Sequence, residues 1–215
     1  MVFFPVMVGI VTGIVALNTE FPVIHSQETF LGDDGASINW PVVNGTFTGV
    51  ARINEILNYK YVTGETLEET RENYIEYGRG IIGSYFVVNW MDTEHLDLTI
   101  TVETLGAYPS SMVSNYCFNL DTGEEVIPEE LFMENRIPDL VQMCNAELQN
   151  RISSEIQREY TFAEENLRQL GIRRGGIVFH YDFGFPHSTV ALEPDGELFF
   201  YWSDLNEFLL PEARR

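Results

Sequence analysis

A chain of 215 residues with 45% hydrophobic and 13% aromatic side chains can bury a substantial core without a metal or disulfide staple, and this composition rules against intrinsic disorder. Twelve Lys and Arg against 33 Asp and Glu leave a formal charge of −21, which repels phosphate backbones and anionic headgroups and rules against a nucleic-acid binder. Lys60 is the only lysine, so Schiff-base chemistry has a single candidate. Residues 1–19 carry no charged side chain and read as a signal h-region or marginal membrane span, leaving N-terminal membrane association open. Their Val, Ile and Phe content with Pro5, Gly9 and Gly13 equally suits a buried pair of strands.

Gly32-Asp33-Asp34-Gly35 predicts a hairpin between extended segments 21–30 and 36–43. Helical spacing runs over 47–61, and an acidic helix over 66–77 is ended by Gly78 and Gly80. Residues 84–90 are apolar on both faces, whereas Leu96, Leu98, Ile100 and Val102 alternate with Asp97, Thr99, Thr101 and Glu103. That alternation predicts one buried and one wet face in an antiparallel sheet. A third strand covers 112–120, Asp121-Thr122-Gly123 turns, and 128–133 form a short helix.

Pro138 opens a long helix to about 160, with Leu140, Cys144, Leu148, Ile152, Ile156 and Tyr160 in one i+4 stripe. More helix is expected over 162–170, stopped by Gly171. Strands follow at 176–183, 189–193 and 198–202, with a turn at Pro194-Asp195-Gly196, and Ser203 is expected to cap a helix over 204–210. Strands grouped apart from helices imply an α+β fold: one antiparallel sheet covered by the long helix, with a smaller N-terminal α+β lobe. The divisions are 1–19, an N-terminal lobe 20–104 and a C-terminal lobe 105–215. Cys117 faces away from the apolar side of its strand while Cys144 lies in the helical stripe, so two separate thiols are expected.

From about residue 36 onward, linked segments carry a resemblance. Ile38-Asn39-Trp40-Pro41 is followed by Arg52-Ile53-Asn54-Glu55-Ile56-Leu57. Phe118-Asn119-Leu120-Asp121-Thr122-Gly123 is followed by Ile127 and Glu130-Leu131-Phe132. Phe183-Gly184-Phe185-Pro186-His187, Pro194-Asp195-Gly196 and Trp202-Ser203-Asp204-Leu205 close the series. In this order they resemble the bacterial envelope family found in the anti-sigma factor RsiV and beside the catalytic domain of the peptidoglycan deacetylase PdaC. The sequence departs from that pattern at Leu105-Gly106-Ala107-Tyr108-Pro109, where many members have Gly-Gly-Ala-His. No deacetylase motif is present, so the RsiV/PdaC-like resemblance implies the accessory, non-catalytic domain in an extracytoplasmic, secreted or membrane-anchored setting. It also implies a wall-associated partner, such as the cationic protein lysozyme or a peptidoglycan fragment.

His180, Asp182 and His187 are the one constellation of ligand residue types close together; two His and a carboxylate can hold zinc or nonhaem iron. Their spacing matches no strong metal motif, so hydrogen-bonded structure is the preferred reading and no cofactor is expected. Adjacent acidic pairs such as Glu124-Glu125, Glu129-Glu130 and Glu164-Glu165 diverge on a helix or turn and read as solvated rather than catalytic. Tyr108 and Pro109 sit in a Gly106–Ser111 loop suited either to gripping a partner or to covering a core edge. The primary expectation is therefore a non-catalytic envelope binding or sensing domain. A metal-dependent hydrolase using the His180 face and a structural dimerisation domain are the alternatives.

Overall fold

The Gly32–Gly35 turn joins β1 (Val23–Phe30) to β2 (Ser37–Asn44) in an antiparallel hairpin running from Val23 opposite Asn44 to Phe30 opposite Ser37. Gly35, at φ 90°, takes the left-handed position of that turn, and Tyr74 donates its hydroxyl proton to Asp34 from across it. The computed structural model describes residues 22–152, 160–184 and 196–214, so residues 1–19 and the expected strand 189–193 lie outside the described residues.

Three helices carry the chain from β2 to β3 (Gly80–Met91): α1 (Val50–Ile56), α2 (Tyr59–Thr63) and α3 (Leu67–Tyr77). The single helix expected over 47–61 breaks at Asn58, whose side chain accepts from the Lys60 N–H and caps a new helix. Thr66 and Glu69 form a reciprocal capping box at the start of α3, and Gly78 ends it in the left-handed conformation. β4 (His95–Leu105) and β5 (Pro109–Asn119) follow as an eleven-residue antiparallel ladder, giving a sheet of order β1-β2-β3-β4-β5. β2 and β3 pair in parallel because the helical crossover returns the chain in the same direction.

Leu96, Leu98, Ile100 and Val102 turn inward against Ile53, Leu57, Tyr59 and Trp40. Trp40 donates its indole N–H to the Leu57 carbonyl at 2.6 Å and meets Tyr59 edge to face. Asn54 holds the β2 backbone at Val43 with a pair of hydrogen bonds, 2.9 and 2.7 Å. The Asp121-Thr122-Gly123 turn packs on this lobe: a Cβ at Gly123 (φ 75°) would stand 2.3 Å from the Gly49 carbonyl oxygen, so the backbones meet where only glycine fits.

The C-terminal half builds a separate three-stranded antiparallel sheet, β6 (Leu170–Arg173), β7 (Gly176–His180) and β8 (Glu197–Tyr201). The α+β class holds, with three corrections. The C-terminal strands do not join the first sheet. The expected division at 104/105 falls inside the β4–β5 hairpin, and the two sheets separate after β5. The long helix, α5 (Ile137–Arg151), covers the small sheet through Leu140, Cys144 and Leu148.

Asn145 on α5 holds Phe162 by two hydrogen bonds, 2.6 and 2.8 Å, and so keeps the returning chain extended there. The helix expected over 162–170 is reduced to a 3₁₀ turn, Glu164–Arg168, and Gly171 lies within β6 rather than ending a helix. A short helix α4 (Pro128–Leu131), a 3₁₀ turn at Glu134–Arg136, α6 (Trp202–Leu205) and a 3₁₀ turn at Pro211–Ala213 complete the described residues of this half, with Ser203 inside α6 rather than capping it. No helix among the described residues is long and apolar enough to cross a membrane.

Candidate functional site

The expectation of a wet outer face on β4 fails at Asp97, which is fully buried because β6 lies over it. Arg173 of β6 places its Nε 2.6 Å from Asp97 Oδ2 and its Nη2 3.3 Å from Glu197 Oε1, with His180 Nδ1 3.9 Å from that same Glu197 oxygen. A bulge in β3 turns Asn89 toward this face. Its amide donates to Asp97 Oδ1 at 3.2 Å and Thr99 Oγ1 at 2.8 Å, and Thr99 donates to Asn115. Burial pushes the Asp97 carboxyl above its ordinary range, against the opposing pull of Arg173 and Asn89. A Cβ at Gly171 would stand 2.5 Å from Asp97 Oδ2, so glycine is what lets β6 approach.

This network clamps one sheet to the other rather than offering reactive groups. Cys117, beside Asp97 in the ladder, and Cys144 are both free and buried. Burial pushes the Cys144 thiol up to about 12 and Cys117 higher still, so neither is a thiolate at neutral pH. The two thiols are separate as expected, but they belong to one core: the outer side of β5 and the α5 stripe both pack into the C-terminal cluster.

Tyr108 projects from the tip of the β4–β5 hairpin with 74% of its surface exposed, and Pro109 begins β5 beside it. His180 closes β7 against Glu197. Asp182 accepts from the Gly184 N–H at 2.7 Å and holds a turn, while His187 lies outside the described residues. Among the described residues no group of three or more His, Cys, Asp or Glu is placed to hold a metal ion.

A cleft of about 640 Å³ opens at the other end of β4, where the 92–95 turn faces α4, α6 and the residues after them. Asp92, Glu94, Glu130 and Glu212 lie around it with His95 and Arg214, over a wall that includes Ile172 and Trp202. Burial works against ionisation of Asp92. The Glu94 and His95 backbone N–H groups at 2.8 and 2.7 Å and the Trp90 indole outweigh it and hold the carboxyl below its usual range. Asp92 is therefore a fixed negative charge that shapes the turn. The eleven residues of β4, at about 3.3 Å each, separate Tyr108 from this cleft by roughly 33 Å, so they are distinct surfaces. Sequence reasoning missed Asp97, Arg173 and the cleft. The one signal for the cleft was Glu129-Glu130 behind a helix-starting proline, a pair whose members point apart.

No protein-family model matches the chain, and no curated protein matches it. Solved structures share its fold. A DUF3298 family protein from Pseudomonas aeruginosa superimposes with a TM-score of 0.60 at 11% identity, covering 89% of this chain and 95% of its own. A member of the DUF3298 family from Bacteroides fragilis gives a TM-score of 0.53 at 14% identity, covering 88% and 92% respectively. At these identities the likeness is one of fold, that of a bacterial domain of unknown function.

Proposed function

We propose that this chain is a non-catalytic binding domain acting outside the cytoplasmic membrane, whose acidic cleft receives basic side chains of a cationic partner protein such as lysozyme. The observation that supports this reading is the cleft itself: four carboxylates, from the 92–95 turn, α4 and the C-terminal segment, against the one guanidinium of Arg214, line a concavity of ligand-binding size. The net charge of −21 accelerates encounter with a cationic partner, and these carboxylates give that encounter a destination. The uncharged segment 1–19 and the envelope-family resemblance support the extracytoplasmic setting.

Calorimetric titration of the chain with hen lysozyme, beside soluble peptidoglycan fragments, tests it. Glu94, Glu130 and Glu212 are exposed, so changing all three to Gln preserves the fold. The change is expected to weaken lysozyme binding about tenfold or more, equivalent to ~1.4 kcal/mol or above. Tyr108→Ala is expected to leave affinity within about twofold. Raising salt from about 0.1 M to 1 M contracts the Debye length from about 10 Å to 3 Å and is expected to weaken binding without abolishing it. Equal affinity of the triple variant overturns the cleft assignment. Self-association without lysozyme binding favours the dimerisation alternative, for which exposed Tyr85 and Val113, on either side of buried Thr101 on the outer sheet face, are the available surface.

A further inference from the structure

A second concavity, of about 710 Å³, lies on the far side of α4, between that helix, the start of α5 and the Glu164–Arg168 turn. Its floor is apolar: Pro128, Phe132 and Leu167 are buried and Ile137 and Leu210 half-buried. The floor is held by backbone rather than by mobile side chains. Phe132 donates its N–H to the Pro128 carbonyl at 2.9 Å, Leu210 to Leu131 at 2.8 Å, and Met133 to Phe208 at 2.8 Å. The Phe132 ring is backed by Phe179, with centroids 6.1 Å apart. The shape of the groove is therefore fixed by the packing of the fold itself.

Its rim is charged on one side of the balance. Glu129, Glu134, Glu164 and Glu165 stand around it against a single guanidinium, Arg168, which is taken up by Glu129 at 2.6 Å. Among the described residues no salt bridge reaches Glu134, Glu164 or Glu165. An apolar floor excludes a fully hydrated small cation as the preferred occupant, and an acidic rim excludes phosphates and anionic headgroups. What satisfies both is a segment that seats apolar side chains while presenting Lys or Arg on either flank, the helix-in-groove or extended-segment arrangement of peptide recognition.

We propose that this groove docks an amphipathic basic segment of a protein partner, with apolar anchors on the half-buried Ile137 and Leu210, which Phe132 and Leu167 back from below, and cationic flanks on Glu134, Glu164 and Glu165. The proposal rests on the reading of a cationic partner above and adds to it a second contact that discriminates by apolar anchoring.

The test uses the full chain and three synthetic peptides of about ten residues: Leu and Phe at the centre with Lys on both flanks, an all-Lys peptide of equal charge, and the first peptide with Gln for Lys. Fluorescence anisotropy is expected to show the amphipathic peptide binding at least about tenfold tighter than either control. E164K with E165K, both at exposed positions, is expected to cut that affinity by at least about tenfold, whereas E68K with E72K, an equal charge change at exposed positions of α3 away from both concavities, changes it less than about twofold. Equal binding of the amphipathic and all-Lys peptides overturns the groove, as does indifference to E164K/E165K. If lysozyme still binds through the cleft in that case, the functional reading stands alone. If the amphipathic peptide binds as described and lysozyme does not, the groove stands and the choice of lysozyme falls.

Discussion

Replacing Arg173 by Met is expected to lower the stability of the fold by about 3–5 kcal/mol, the cost of leaving a buried carboxylate without its counterion. The guanidinium is the strongest positive influence on Asp97, at 2.6 Å, and β6 seals that carboxylate from water. Asp97→Asn is expected to cost less, because it removes the buried charge while Arg173 keeps Glu197 at 3.3 Å. The pH dependence has a definite sign. The Asp97 carboxyl is already raised in the folded chain, with Glu197 adding to the effect of burial, so the folded state binds more protons than the unfolded state between the unfolded and folded pKa values. Asp97's own contribution to stability therefore grows as pH falls through its folded pKa and is lost as pH rises through it. Without Arg173 the folded pKa rises further. The deficit of the Arg173→Met variant should narrow as pH falls from about 7.5 toward 4.5, as the buried carboxyl takes up its proton. Urea unfolding at the two pH values checks this; a deficit independent of pH would show that Asp97 is not the group left uncompensated.

Phe179→Ala is expected to cost about 3–5 kcal/mol, from lost burial and an incompletely collapsed cavity. Phe179 is fully buried, and its ring meets Phe132 at 6.1 Å, Phe162 at 6.0 Å and Phe200 at 6.1 Å between centroids, so one truncation loosens α4, the chain returning along α5, and β8 together. The functional consequence follows from Phe132: with its backing removed, the groove floor loses its shape, and the amphipathic peptide should bind more weakly even where the variant remains folded. Thermal unfolding and peptide anisotropy on one preparation separate the two effects. A variant that unfolds earlier yet binds the peptide with unchanged affinity would place the peptide elsewhere.

Local chemistry was legible in the sequence where it acts over a few residues. The acidic helix ending at Gly78, the Gly32–Gly35 hairpin, the inward row of Leu96, Leu98, Ile100 and Val102 on β4 and the i+4 stripe of α5 each appear as expected, because each depends on neighbours in the chain. Which surface each element covers was not legible. Alternation marks Asp97 as outward, and outward reads as wet, unless it is known that β6, more than seventy residues later, lies over it. Gly171 reads as a helix stop for the same reason: its lack of a side chain answers to Asp97 across the sheet interface and not to its own segment. The acidic pair Glu129-Glu130 was correctly read as diverging, and that divergence sends Glu130 to one cleft and Glu129 to the other. The walls that turn those carboxylates into sites come from the 92–95 turn, the 3₁₀ turn at Glu164–Arg168 and the C-terminal segment, whose convergence no local pattern encodes.

The most direct test of the account is a hydrogen-exchange footprint of the full chain with and without hen lysozyme. Slowed exchange is predicted over residues 92–95, 128–134 and 202–214, with the 106–111 hairpin tip and the outer sheet face around Tyr85 and Val113 unchanged. Slowed exchange confined to that tip or that sheet face, with the 92–95 turn and α4 unaffected, would contradict the account.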